Sequence, residues 1–145
     1  APSTITRLQN MGTPDYLISA ACQLVLAQRL ARRNCKECRV PDEDVTPKVL
    51  QDLGFTAEQA SRAKAFKGKG CPKCKDTGYK GRQGIYEILV VSKPLKEAIL
   101  RQATTPELRE IAVKEGFQTM QDMGRRLISS GDLNFREYER VLTSE

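Results

Sequence analysis

Histidine is absent from this chain, which excludes Ser-His and Cys-His nucleophiles and any zinc-bound water held by imidazole. A G-x-x-x-x-G-K-[ST] phosphate loop is also missing, and Gly68-Lys69-Gly70 is too short to imitate one, so the chain by itself is not expected to hydrolyse a nucleotide. No apolar run approaches the roughly 20 residues that cross a bilayer. Ala1-Pro2-Ser3-Thr4 has neither the basic nor the apolar part of a signal peptide, and a soluble, cytosolic chain is expected. What is present is ordinary for a folded domain: 145 residues, 39% hydrophobic, with 10 glycines. That composition rules out collagen-like, mucin-like and wholly disordered chains.

The net charge of +6 is unevenly spread. Between residues 62 and 82, Arg62, Lys64, Lys67, Lys69, Lys73, Lys75, Lys80 and Arg82 face Asp76 alone, whereas residues 83–145 are close to neutral. Such a patch is either a solvated surface or an attractor for acidic protein, phosphate or anionic lipid.

Cysteine carries the strongest signal. Cys35-Lys36-Glu37-Cys38 and Cys71-Pro72-Lys73-Cys74 are two C-x-x-C pairs, and without histidine the complete ligand set is four thiolates. Thiolates are soft ligands suited to zinc, and four of them satisfy a tetrahedral ion with no open position, so a structural zinc site is expected at Cys35, Cys38, Cys71 and Cys74. Lys36, Arg39, Lys73 and Lys75 are placed to offset its charge. A disulfide framework is disfavoured in a cytosolic chain, and a thioredoxin-like redox pair needs only one C-x-x-C. Cys22, among Ile18, Ala21, Leu24 and Val25, reads as a small apolar residue.

The periodicities predict an α+β fold: mostly α-helical, with a short β-hairpin and a tetracysteine zinc-binding insertion. Three segments follow: 1–34, an insertion at 35–82, and 83–145 as a returning strand with a helical subdomain. Ser3 is the expected cap of a helix over residues 3–11, Asp15 opens a second, and a strand begins near Leu24 to pair with Gly84–Val91. Within the insertion, Thr46-Pro47 and Thr56-Ala57-Glu58-Gln59 open short helices, the second reaching about Phe66. Four helices follow, over 93–102, 105–115, 119–130 and 134–142, each with one apolar stripe.

The order of Ile5-Thr6-Arg7-Leu8, Met11-Gly12, Leu26-Ala27-Gln28-Arg29-Leu30, the two C-x-x-C pairs and Gly81-Arg82-Gln83-Gly84-Ile85-Tyr86-Glu87 closely resembles the C-terminal end of the type IV pilus assembly and type II secretion ATPases. The resemblance covers essentially the whole chain. It implies the tail end of a RecA-like ATPase domain belonging to a hexameric motor, with ATP and Mg²⁺ bound only in the full-length parent. It further implies a cytoplasmic location, peripheral to the bacterial inner membrane, with inner-membrane platform or adaptor proteins as partners. The four cysteines match the family's metal motif. Arg7, Gln28 and Arg29 fall where that family meets nucleotide or a neighbouring subunit, and Lys64, Lys67, Lys69 and Lys73 form the candidate docking patch. Retraction motors of that superfamily lack the cysteine insertion, which favours assembly.

Two other readings compete. A zinc-ribbon nucleic-acid binder would use the same patch, but only Phe66, Tyr79 and Tyr86 lie near it and they are not interleaved as a stacking platform, so no nucleic acid is expected. A chaperone-like zinc module is suggested by the faint likeness of residues 71–81 to the repeats of the DnaJ chaperones, a motif that family repeats four times and this chain carries once.

Overall fold

The computed structural model describes residues 1–142; the last three residues of the 83–145 segment lie outside the described residues. Among the described residues the architecture is α+β. The chain sorts into two compact units, each built from two stretches: residues 1–28 with 86–119, and residues 29–85 with the chain from Met120 onward.

In the first unit, α1 (Pro2–Asn10) begins with Pro2 at its first turn, where the missing N–H costs nothing. The helix therefore starts before Ser3, and Ala1 occupies the cap position that Ser3 was expected to fill. α2 (Asp15–Ala21) packs on α5 (Lys93–Leu100), while α1 packs on α6 (Thr105–Lys114). Ile5, Leu95, Ile99 and Leu108 are fully buried in a core completed by Ile18, Leu89, Val91, Ala98 and Ala112. Each large side chain buried this way contributes about 1.5–3 kcal/mol. Cys22 is half-buried against this core, in keeping with its apolar reading. The hydroxyl of Ser92 accepts from the Leu95 amide and so caps α5.

Two strands pass through both units. β1 (Leu24–Asn34) pairs with β4 (Tyr79–Val90), and bonds from Val91 to Gln23 at one end and from Cys35 to Gly78 at the other make the pairing antiparallel. The ribbon is longer than the short hairpin expected. β4 begins at Tyr79, five residues before the β-branched run, because ladder bonds to β1 override the weak strand propensity of Lys80-Gly81-Arg82-Gln83. Leu24, Leu26, Ile88 and Val90 are each more than half exposed.

The second unit holds a further ribbon that periodicity did not reveal: β2 (Arg39–Pro41) runs antiparallel to β3 (Phe66–Gly68), with Val40 opposite Lys67. α3 (Pro47–Asp52) and α4 (Ala57–Arg62) lie between them in sequence and pack on each other. Thr46 caps α3, and Thr56 with Gln59 forms a capping box on α4. α4 ends at Arg62 rather than near Phe66, because Ala63 is already extended and Phe66 pairs in β3. α7 (Met120–Ser130) packs on α8 (Phe135–Leu142), with Gly124 facing Tyr138 and Leu142 where a side chain would collide.

Candidate metal centre

Cys35 follows the last residue of β1, Cys38 precedes β2, and Cys71 caps, and Cys74 closes, a 3-10 turn (Pro72–Cys74) just before β4. Strand ends thus bring two sequence-distant knuckles together. The Cys35 amide donates to the Gly78 carbonyl at 2.9 Å and the Lys69 amide to the Cys38 carbonyl at 3.1 Å, stitching one knuckle to the other through backbone.

The four sulfurs lie within 4.8 Å of one another. Cys35 to Cys71 is 3.7 Å, Cys71 to Cys74 is 3.7 Å and Cys38 to Cys74 is 3.8 Å. A tetrahedral ion with bonds to sulfur of about 2.3 Å requires sulfurs about 3.8 Å apart. Three of the six separations therefore match the spacing that zinc demands, and the remaining three stay within 4.8 Å. Cys35 and Cys74 are buried, and Cys38 and Cys71 are half-buried, which leaves no open coordination position for a substrate.

Backbone amides supply the outer shell. Gly70 N–H points at Cys38 Sγ (3.2 Å), and the Cys71 and Gly78 amides point at Cys74 Sγ (3.3 and 3.2 Å). At Cys74 burial opposes ionisation, but the two amides together with the hydrogen bonds of the Cys71 and Cys38 thiols outweigh it and hold the thiol down at about 6. At Cys38 burial dominates, and with the surrounding thiols it pushes the pKa up to about 11 against the single Gly70 amide. Four sulfurs this close do not ionise together unaided, and a divalent cation removes that conflict.

The second knuckle owes its shape to a left-handed run: Lys75 and Asp76 have φ of 56° and 62°, and Gly78 follows at 80°. Gly68 sits so near the Gly78 carbonyl that a Cβ there would overlap it. The charge-offsetting role expected of Arg39 is not realised. Its guanidinium stands 5.6 Å over the Phe66 ring and reaches the Ser130 carbonyl (3.4 Å) and Asp132 (3.9 Å). Lys36, Lys73 and Lys75 are exposed.

Arg7 is exposed on α1 and Gln28 on β1, while Arg29 donates to the Val141 carbonyl of α8. Lys64, Lys67 and Lys69 lie along β3 and its flanks, with Lys67 3.9 Å from Asp42, and Lys73 lies within the 3-10 turn.

One cluster escaped the sequence reading. Glu137 on α8 is fully buried, yet its carboxylate accepts from Arg32 Nη2 (2.7 Å), from the Arg32 amide (2.8 Å) and from Arg140 Nε and Nη2 (both 2.8 Å). Arg32 also lies 4.1 Å over the Tyr79 ring, whose hydroxyl accepts from Asn134 (2.9 Å). The only signal in the sequence is positional: Glu137 stands three residues after Asn134 and four before Val141, inside the apolar stripe of the last helix.

Residues 1–140 match the family model described as "Type II/IV secretion system protein". The chain is 42% identical over 127 residues to a type IV pilus assembly ATPase PilB of Thermus thermophilus, covering 86% of this chain and 14% of that protein. It is 36% identical over 137 residues to a type IV pilus assembly ATPase PilB of Myxococcus xanthus (94% and 24%). Against the type II secretion system protein HxcR of Pseudomonas aeruginosa it is 33% identical over 141 residues (97% and 26%). The chain thus spans about a quarter or less of the length of these relatives.

Proposed function

We propose, on the premise that this chain belongs to the type II/IV secretion system protein family, that it is the C-terminal portion of a motor ATPase powering type IV pilus extension or type II secretion, and that its four cysteines hold one structural zinc. The observation that carries the metal reading is the cage itself: four sulfurs, three of their separations at the spacing of a tetrahedral ion, without an open position. Such a site braces and does not catalyse. Zinc, when bound, ties the knuckle after β1 to the knuckle before β4 and so holds a surface in place.

In this reading ATP and Mg²⁺ are bound in the parts of the full-length motor that this chain does not span, since no phosphate loop occurs in its sequence. The motor is a hexamer at the cytoplasmic face of the inner membrane, and residues 1–34 close its ATPase core. The exposed apolar row Leu24, Leu26, Ile88 and Val90 supports this, because an isolated unit gains nothing from it. In segment 35–82, Lys64, Lys67, Lys69 and Lys73 dock an acidic cytoplasmic part of a membrane platform or adaptor protein. The nucleic-acid alternative loses ground: one face of Phe66 is taken by Arg39 and one face of Tyr79 by Arg32, which leaves Tyr86 as the exposed ring of the three.

Elemental analysis of protein purified under reducing conditions tests the metal, with one zinc per chain expected and a metal-free, folded protein overturning the reading. For docking, reversing Lys64, Lys67, Lys69 and Lys73 to glutamate in the full-length motor is expected to impair pilus assembly or secretion while metal content and basal ATP hydrolysis hold. Normal assembly in that variant would mean that the patch is a solvated face.

A further inference from the structure

The two residues that flank the first knuckle both reach the turn that ends α7. Asn34, immediately before Cys35, gives its backbone N–H to the Asp132 carbonyl (2.8 Å) and its side-chain Nδ2 to the Gly131 carbonyl (2.9 Å). Arg39, immediately after Cys38, donates to the Ser130 carbonyl (3.4 Å) and stands 3.9 Å from the Asp132 carboxylate. Three successive carbonyls, those of residues 130–132, are thus taken by a segment distant in sequence. The chain of α7 itself satisfies only the carbonyls just before them, where Gly131 N–H donates to Ile128 and the Asp132 and Leu133 N–H groups to Leu127 (3.1, 3.1 and 3.2 Å). A helix leaves its last carbonyls without partners of its own, and the knuckle supplies them here.

Asn34 is 1% exposed, and its Nδ2 also donates to the Phe66 carbonyl of β3 (3.3 Å), so one side chain ties β1, β3 and the turn. Its Oδ1 is buried and has no partner among the described residues. An orphaned acceptor costs stability, and a leucine would fill the same space without one; the two N–H donors are what an asparagine adds. Gly131, at φ 88°, brings the turn against the knuckle's flank: a Cβ there would lie 2.8 Å from Arg39 Nη1 and 3.3 Å from the Phe66 ring. The charge of Arg39 also suits the negative end of the α7 dipole. Asn34 and Arg39 are each one peptide unit from a cage cysteine, so the placing of Cys35 and Cys38 sets how far apart the two flanks stand.

We infer that the first knuckle is a metal-dependent cap on α7. With zinc on the four cysteines, Asn34 and Arg39 hold the carbonyls of residues 130–132; without it they let them go and the α7–α8 turn loosens. Both are positioning residues and ligate nothing themselves. The inference rests on the zinc reading given above. Linkage makes the effect reciprocal, so that freeing the turn from Asn34 or Arg39 weakens metal binding.

Hydrogen exchange of the full chain, zinc-loaded and chelator-stripped, tests this at the amides of Gly131, Asp132 and Leu133. Stripping is expected to speed their exchange by about tenfold or more, along with exchange in 35–82. Two variants carry the reciprocal arm: Asn34→Leu, and Arg39→Met at a more exposed position should the buried substitution not fold. Each is expected to weaken zinc binding in chelator competition and to shrink the metal response at 131–133. Arg39→Lys, which keeps a cation for the Ser130 carbonyl, is expected to restore both, and Thr56→Ala, away from the knuckle, to leave both unchanged. Exchange at 131–133 that stripping leaves unaltered while 35–82 is released overturns the proposal, as does a full metal response in Arg39→Met and in any folded Asn34→Leu. Zinc content is read first: a chain that takes up no zinc overturns the metal reading and the cap with it, whereas a zinc-loaded chain whose turn ignores stripping overturns the cap alone.

Discussion

Glu137 shows how one residue can set an acid limit for its unit. The side-chain bonds from Arg140 lower its pKa, burial opposes them, and the bonds from Arg32 add to the lowering, leaving the carboxyl at about 2. A depressed folded pKa stabilises the fold above the ordinary carboxylate range and loses that contribution as pH falls toward 2. With both arginines half exposed, the stabilisation lost between about pH 5 and about pH 2 is discounted to about 2 kcal/mol. Urea unfolding followed across that range is expected to show this slope in the wild type and not in Glu137→Gln. The difference between the two proteins isolates Glu137 from the loss of metal that acid also causes. A variant that kept the full slope would place the acid sensitivity elsewhere. Nothing local in the sequence announces this residue: a glutamate within an amphipathic helix ordinarily faces water, and only the distant Arg32 makes its burial tolerable.

Among elements, the knuckles and the small ribbon depend on one close approach. Gly68 of β3 and Gly78 touch backbone to backbone, and Gly78 also directs its amide at Cys74 Sγ. Gly68→Ala is expected to part them and speed metal loss to a chelator by about tenfold or more, as outer-shell disruption commonly does; an unchanged release rate would show that the loops yield freely. By contrast, Thr56→Ala removes only one end of a capping box and is expected to cost about 1 kcal/mol with metal affinity unaltered, read by thermal melting and chelator competition. These contrasts track what could be read beforehand. Thr46, Thr56 and Ser92 were legible as caps because a hydroxyl before a helix acts locally, and the cysteine pairs because their spacing is their chemistry. β2 and β3 were not, since Arg39-Val40-Pro41 and Phe66-Lys67-Gly68 are too short to show alternation and pair only because the cysteines beside them are gathered. The early start of β4 at Tyr79 is likewise a tertiary effect that Lys80 and Gly81 conceal.

Across the whole molecule the two units differ in what sustains them. The first has an apolar core of its own around Ile5, Leu95, Ile99 and Leu108. The insertion in the second has two six-residue helices with few buried side chains, among them Leu50 and Ala60. The structural zinc proposed for its four cysteines would supply on the order of 10 kcal/mol of apparent binding free energy. Chelation is therefore expected to release amide protons over residues 35–82 first while α1, α5 and α6 stay protected, as hydrogen exchange would report; simultaneous loss in both units would count against it. The cage also changes the topology of the chain. With an ion joining Cys35 and Cys38 to Cys71 and Cys74, the stretch between the pairs becomes a closed ring, in the way a disulfide closes one. A single protease cut between Asp42 and Lys64 opens that ring without releasing either end. The nicked protein would migrate as one particle, its two pieces joined through the ion and also through the β1–β4 ribbon and the core of the first unit, so that the scission shows only once the protein is both stripped of metal and unfolded.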